Sequence, residues 1–258
     1  MTGKIASIPT SALFRRLVAE FLGTALLVTV VVGSGIAAQR LSPADIGLQL
    51  LENSTATMFG LTVLILLFGP VSGAHFNPVV SAADWLLGRK AGTGLTGRDV
   101  GTYTVAQVLG GIAGAELANL MYGVPLDELS GQDRTGADLL LGEVVATAGL
   151  IALIFALART GRGLLAAPAV GAYIGAAYWF TSSTSFANPA VTVGRMFSDT
   201  FAGIAPGSVP GFVIAQVVGA AVAVALVGWL YPDVARAADD IVVPHESRAT
   251  HASDRSSR

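Results

Sequence analysis

The chain has no cysteine, three histidines and a charged fraction of only 12% in 258 residues. Without cysteine there is no disulfide, no thiolate metal site and no cysteine nucleophile. No HExxH, GxSxG or phosphate-loop pattern occurs, so the sequence offers no parts for an enzyme, and no cofactor or metal site is expected. A formal net charge of -2 leaves no cationic footprint for nucleic acid. What the chain has instead is apolar length: 53% apolar residues and a mean hydropathy of +0.66 place it among membrane proteins. Its 31 glycines suit helices packed in lipid, where small residues permit close approach, and GGIAG at Gly110–Gly114 and GAYIG at Gly171–Gly175 read as such contacts.

A helix needs about 20 apolar residues to cross the hydrocarbon layer. Six segments meet or approach that length: Leu17–Ala38, Thr55–Val71, Val100–Tyr122, Leu139–Ala158, Leu164–Ser182 and Val209–Tyr231. The first is too long for the core of a cleavable signal and carries Glu20, so it reads as a retained span. If the spans alternate, Lys4, Arg15, Arg16, Arg89, Lys90, Arg98, Arg159 and Arg162 fall on one side, whereas Arg40 and Arg134 fall in loops on the other. That bias predicts a multi-pass protein of the plasma (inner) membrane with both termini cytoplasmic. Residues 1–231 read as a single membrane domain, with halves of about 13–122 and 138–231, and 232–258 as a disordered cytoplasmic tail whose His245 and His251 are solvated.

Two further apolar runs, Phe76–Gly88 and Ala187–Thr200, are half-length. Unsatisfied peptide groups in lipid cost several kcal/mol each, so half-spans occur where protein or a water-filled cavity satisfies them. Two re-entrant half-helices therefore imply a pore or a binding cavity. Asn77 and Asn188 can cap these helices, and Pro78 and Pro189 occupy first-turn positions that need no backbone donor. Both positive ends then point at the bilayer centre, disfavouring cations and protons, while the amide groups remain available to a passing water or hydroxyl. The halves repeat in order: EFLGT at Glu20–Thr24 with EVVAT at Glu143–Thr147, FNP at Phe76–Pro78 with ANP at Ala187–Pro189, AQVLGG at Ala106–Gly111 with AQVVGA at Ala215–Ala220. Three spans per half make this an inverted repeat, with its site near the midplane.

At these residues the chain resembles the aquaporin, or major intrinsic protein, family. The resemblance covers about Arg15 to Tyr231 and rests on six spans, the paired motifs Asn77-Pro78-Val79 and Asn188-Pro189-Ala190, and an ExxxT signature opening each half. It implies an all-α membrane protein, an aquaporin-like six-transmembrane-helix bundle with two re-entrant half-helices. It also implies a passive channel for small neutral solutes, assembled as a homotetramer in the lipid bilayer. The first motif departs from the family by reading NPV, with Val79 in place of Ala. A larger departure is Val191, where the family's water channels carry Arg directly after the second NPA. Counting back from the two Asn residues puts the other filter positions on Thr57, Ala176 and Ser185, or on Phe59 instead of Thr57 if a gap falls in GLTVL. With Thr57, the filter is four small residues with no aromatic and no charge, a wide, mildly polar constriction expected to pass solutes larger than water. Val in place of the Arg resembles a branch of bacterial channels linked to arsenic detoxification. It therefore implies metalloid hydroxides such as arsenous acid among the solutes.

Ionisable residues inside spans are functional candidates. Glu20 and Glu143 sit at matched positions, and their expected role is to accept backbone N–H groups of the re-entrant loops; Gln107 and Gln216 are expected as interhelical hydrogen-bond partners. His75 reads as a donor bracing its loop. Glu116 has no counterpart, since the matching position is Ala225. Arg195 lies one turn beyond Val191 and is a candidate for a positive vestibule, against the alternative of an i,i+4 pair with Asp199. Two rival readings remain: an ion-coupled secondary transporter, also built from inverted repeats and broken helices, and a non-conducting structural membrane protein.

Overall fold

Among the described residues, six long helices, α1 (Thr10–Leu41), α2 (Ile46–Ser72), α4 (Gly97–Tyr122), α5 (Ala137–Arg159), α6 (Ala166–Phe180) and α8 (Val209–Leu230), enclose two short ones, α3 (Pro78–Gly88) and α7 (Pro189–Gly194). The structure is a computed structural model, and the residues it describes are 10–89, 92–126 and 128–231; the tail expected at 232–258 lies outside them. No strand occurs among the described residues. Helix ends carry the expected local chemistry: the Asp45 side chain caps α2, Thr96 and Asp99 form a capping box on α4, and Gly73 closes α2 at φ 87°.

Five of the helical segments are both long and apolar enough to cross a membrane. α4 has the length, 26 residues or about 39 Å, but its polar first turns and glycines dilute its hydropathy. Burial runs opposite to that of a water-soluble domain. Glu20, Gln107, Glu143 and Gln216 are fully buried, whereas Phe59, Leu66, Leu67, Val105, Ile214 and Trp229 are exposed, the distribution expected of a bundle whose outer face meets lipid.

α1 runs along α4 and against α2, α5 runs along α8, and α2 meets α6 between the halves. Glycine sets the closest of these approaches. A Cβ on Gly114 would overlap the carbonyl oxygen of Ala25, and one on Gly194 would lie 2.5 Å from the carbonyl of Gly111, so α1–α4 and α4–α7 pack backbone to backbone. Gly114→Leu is therefore expected to cost about 3 kcal/mol or more by forcing the helices apart. A thermal melt in detergent checks this, and an unchanged melting temperature would mean that α1 and α4 do not need this contact.

The second half-helix is shorter than the sequence suggests. The apolar run to Thr200 forms six helical residues and then a 3₁₀ turn at Arg195–Phe197. Gly194 is wedged against Gly111, Asn119 Nδ2 donates to Phe197 O (2.6 Å), and Arg195 Nε donates to Ala202 O, which together turn the chain away. In six residues the negative end lies about 9 Å from the positive one, against about 16 Å in the eleven-residue α3, so the field of α7 falls off sooner.

Candidate functional site

The loops entering α3 and α7 are held in a left-handed conformation by residues that are not glycine: Ala74 (48°) and Phe76 (51°) in the first, Thr184 (60°), Ser185 (52°) and Ala187 (49°) in the second. Each such residue costs about 1–3 kcal/mol and persists only where its surroundings over-determine it. Here the surroundings are two buried carboxylates. Glu20 Oε1 accepts from Ser72 Oγ (2.6 Å) and His75 N (3.0 Å), and Oε2 from Phe76 N (2.7 Å) and Gln107 Nε2 (2.7 Å). Glu143 repeats the arrangement, Oε1 accepting from Phe186 N (2.8 Å) and Oε2 from Ala187 N (2.8 Å) and Gln216 Nε2 (2.6 Å). The two glutamines also donate to Ser81 Oγ (3.2 Å) and Thr192 Oγ1 (2.9 Å), hydroxyls that bond in turn to the Asn77 and Asn188 carbonyls. His75 Nδ1 lies 3.0 Å from Ser81 Oγ, and its ring meets Tyr103 edge-on.

These braces bring the N-termini of α3 and α7 face to face. Asn77 Oδ1 accepts from Val79 N (3.0 Å), and Asn188 Oδ1 from Ala190 N (2.9 Å) and Val191 N (3.2 Å), with Pro78 and Pro189 in the first turns. The amide nitrogens cross over: Asn77 Nδ2 donates to Ala187 O (2.8 Å) and Asn188 Nδ2 to Phe76 O (2.7 Å). Each amide keeps a second N–H that these bonds do not use. Val79 and Ala190 are buried in the packing behind the caps.

Both Asn side chains border a narrow cavity of about 60 Å³. Its walls are helical series at i, i+4 and i+8: Thr57, Leu61 and Ile65 on α2, and Val170, Ile174 and Tyr178 on α6. Apart from the Asn pair and His75, the polar lining lies at one end, the end on which the α4–α5 loop folds. There Thr57, Tyr178, Ser185, Val191 and Arg195 surround the lumen with Phe186. Thr57 lines the cavity and Phe59 points away, exposed. Ala176 does not belong here. It is exposed on the outer face of α6, because it lies two residues, about 200° round the helix, from Tyr178. Tyr178 takes the place, and its hydroxyl shares a 3.2 Å hydrogen bond with Thr57 Oγ1. The lining at this end, expected without aromatic or charge, is thus corrected to one that holds Tyr178, Phe186 and a guanidinium. Glu116 is half-buried on α4 and is not part of the lining.

Arg195 is almost fully buried, with its guanidinium carbon 3.5 Å from the Phe186 ring centroid. The alternative pairing with Asp199 is not formed, as that carboxylate accepts from Gly131 N (2.9 Å). Arg134, which the sequence marks only as a loop charge, stacks on the same ring at 5.0 Å and donates from Nε to Gly203 O (2.8 Å) and from Nη2 to Phe201 O (3.2 Å). Burial lowers the Arg134 pKa, and the nearby Glu143 carboxylate opposes that shift.

Residues 7–186 match the Major intrinsic protein family. The chain belongs to the Major intrinsic protein family. Among members of the family, it is 54% identical over 219 residues to the protein named aquaglyceroporin AqpS of Rhizobium meliloti, covering 84% of this chain and 91% of that protein. It is 34% identical over 227 residues to the glycerol uptake facilitator protein of Pseudomonas aeruginosa, covering 77% of this chain and 78% of the other. In three dimensions it is similar to the aquaglyceroporin from Plasmodium falciparum, with a TM-score of 0.59 at 22% identity over 88% of this chain and 99% of that one. That likeness speaks for the fold alone, a Major intrinsic protein bundle.

Proposed function

We propose that the protein is a passive channel for small neutral solutes, passing water together with glycerol- or metalloid-like solutes such as arsenous acid. The observation that carries this reading is the crossed pair of Asn77 and Asn188, each capping its own helix, donating to the other's loop, and bordering a continuous cavity. Such a pair offers a passing hydroxyl two fixed N–H donors without a titrating group, which suits transfer of neutral molecules. The names of the two curated relatives, an aquaglyceroporin and a glycerol facilitator, support solutes larger than water.

In this reading the selectivity filter is Thr57, Tyr178, Ser185 and Val191. Val191 contributes an apolar wall against which carbon can lie, and the Ser185 and Thr57 hydroxyls serve the oxygens of a polyol or metalloid hydroxide. Glu20, Glu143, Gln107, Gln216 and His75 hold the loops. The channel sits in the inner membrane with both termini cytoplasmic, following the bias of Lys and Arg, so the α4–α5 loop marks the outer mouth. The resemblance to the family supports a homotetramer with one pore per subunit.

A channel and a coupled transporter separate kinetically. In proteoliposomes, glycerol flux is expected to rise linearly with its gradient and to ignore a protonophore. Saturation together with collapse under the protonophore would favour the transporter.

A further inference from the structure

Two cations share one aromatic ring at the outer mouth, and among the described residues neither forms an ion pair. The carboxylates nearest in sequence are committed elsewhere: Asp133 accepts from Ser208 Oγ (3.0 Å) and Thr135 Oγ1 (3.0 Å), and Asp199 from Gly131 N (2.9 Å). Glu143, whose charge both arginines feel, already accepts three hydrogen bonds. Buried guanidinium groups are ordinarily matched by a carboxylate. Arg195 is almost fully buried and Arg134 half-buried, and here carbonyl oxygens of the 201–203 segment and the Phe186 face hold them instead, which fixes their positions without neutralising them. The Arg195 Nη groups donate to no protein acceptor among the described residues, and Arg195 lines the cavity.

We infer that Arg134 and Arg195, clamped on the shared ring of Phe186, are the charge-selective element of this channel, rejecting small cations at the outer mouth. The inference rests on the channel reading above. Val191 leaves its filter position uncharged, so the full charges at the outer mouth are those of the α4–α5 loop and the turn after α7, which add to the positive ends of α3 and α7. Arg134 contributes charge from behind the ring. Arg195 contributes charge and donors to the oxygens of a neutral solute.

The test compares methylammonium with glycerol in proteoliposomes of the full-length protein. The methylammonium-to-glycerol permeability ratio is expected to rise about tenfold in Arg195→Gln and about 100-fold in the Arg134→Gln/Arg195→Gln pair, the size expected for removing one and then two unit charges at an effective dielectric constant of about 20. The Arg134→Lys/Arg195→Lys pair keeps the charge and is expected to keep the wild-type ratio, which a merely structural role for the carbonyl bonds would not do. If the glutamine pair does not assemble, the single Arg134→Gln variant is read instead and is expected to raise the ratio severalfold. A ratio unmoved by the glutamine pair, or by the single variant where that pair fails, overturns the inference while glycerol flux still upholds the channel. Wild-type protein that passes no glycerol overturns both.

Discussion

Val191→Arg is expected to reduce glycerol permeability by about tenfold or more, equivalent to at least about 1.4 kcal/mol added to the barrier, and to reduce water permeability much less. The reason is volume and charge in one place. Val191 is buried in the wall of a cavity of about 60 Å³, opposite Thr57 and Tyr178, and a guanidinium there occupies space that a three-carbon solute needs. It also arrives one helical turn from Arg195, whose positive charge drives it off the wall and into the lumen. Stopped-flow light scattering on the variant checks this. Equal glycerol flux before and after would show that Val191 lies outside the constriction.

Glu143→Ala is expected to cost about 3–9 kcal/mol, because the Phe186 and Ala187 N–H groups and Gln216 Nε2 lose their acceptor inside the bundle, at about 1–3 kcal/mol for each stranded donor. The loss falls on residues already strained, since Ser185 and Ala187 have φ of 52° and 49°, and it leaves only the Ser183 Oγ and Asn77 Nδ2 bonds to hold that loop. Glu20→Ala strands the His75 and Phe76 N–H groups and Gln107 Nε2 in the other half and is expected to behave alike. Glutamine is no remedy, because its Nε2 faces donors. Thermal denaturation in detergent reads the effect, with loss of solute flux following. Variants as stable as the parent would contradict the bracing role.

Much of this was legible in the sequence because it depends on period and symmetry. Span positions follow from apolar length, and the half-helices follow from runs too short to cross. The pairing of Glu20 with Glu143 and of Gln107 with Gln216 follows from the repeat. What the sequence hides is geometry without a period. Counting back from Asn188 lands on Ala176 rather than on the cavity-lining Tyr178 because it crosses a loop of left-handed residues that does not advance like a helix. The i, i+4 series Val170, Ile174, Tyr178 is the signal that would have found it. Ala74, Phe76, Thr184, Ser185 and Ala187 carry none of the glycine that normally announces a positive φ. Arg134 sits in an irregular loop, so only the folded chain sets it against Phe186. The early end of α7 depends on Gly194 meeting Gly111, a contact between distant stretches.

The central claim, a passive pore for neutral solutes larger than water, is tested most directly by light-scattering flux in proteoliposomes across water, glycerol, urea and arsenous acid. The account predicts that glycerol and arsenous acid pass together with water, at rates proportional to their gradients. Vesicles that pass water alone, or none of the four, would contradict it.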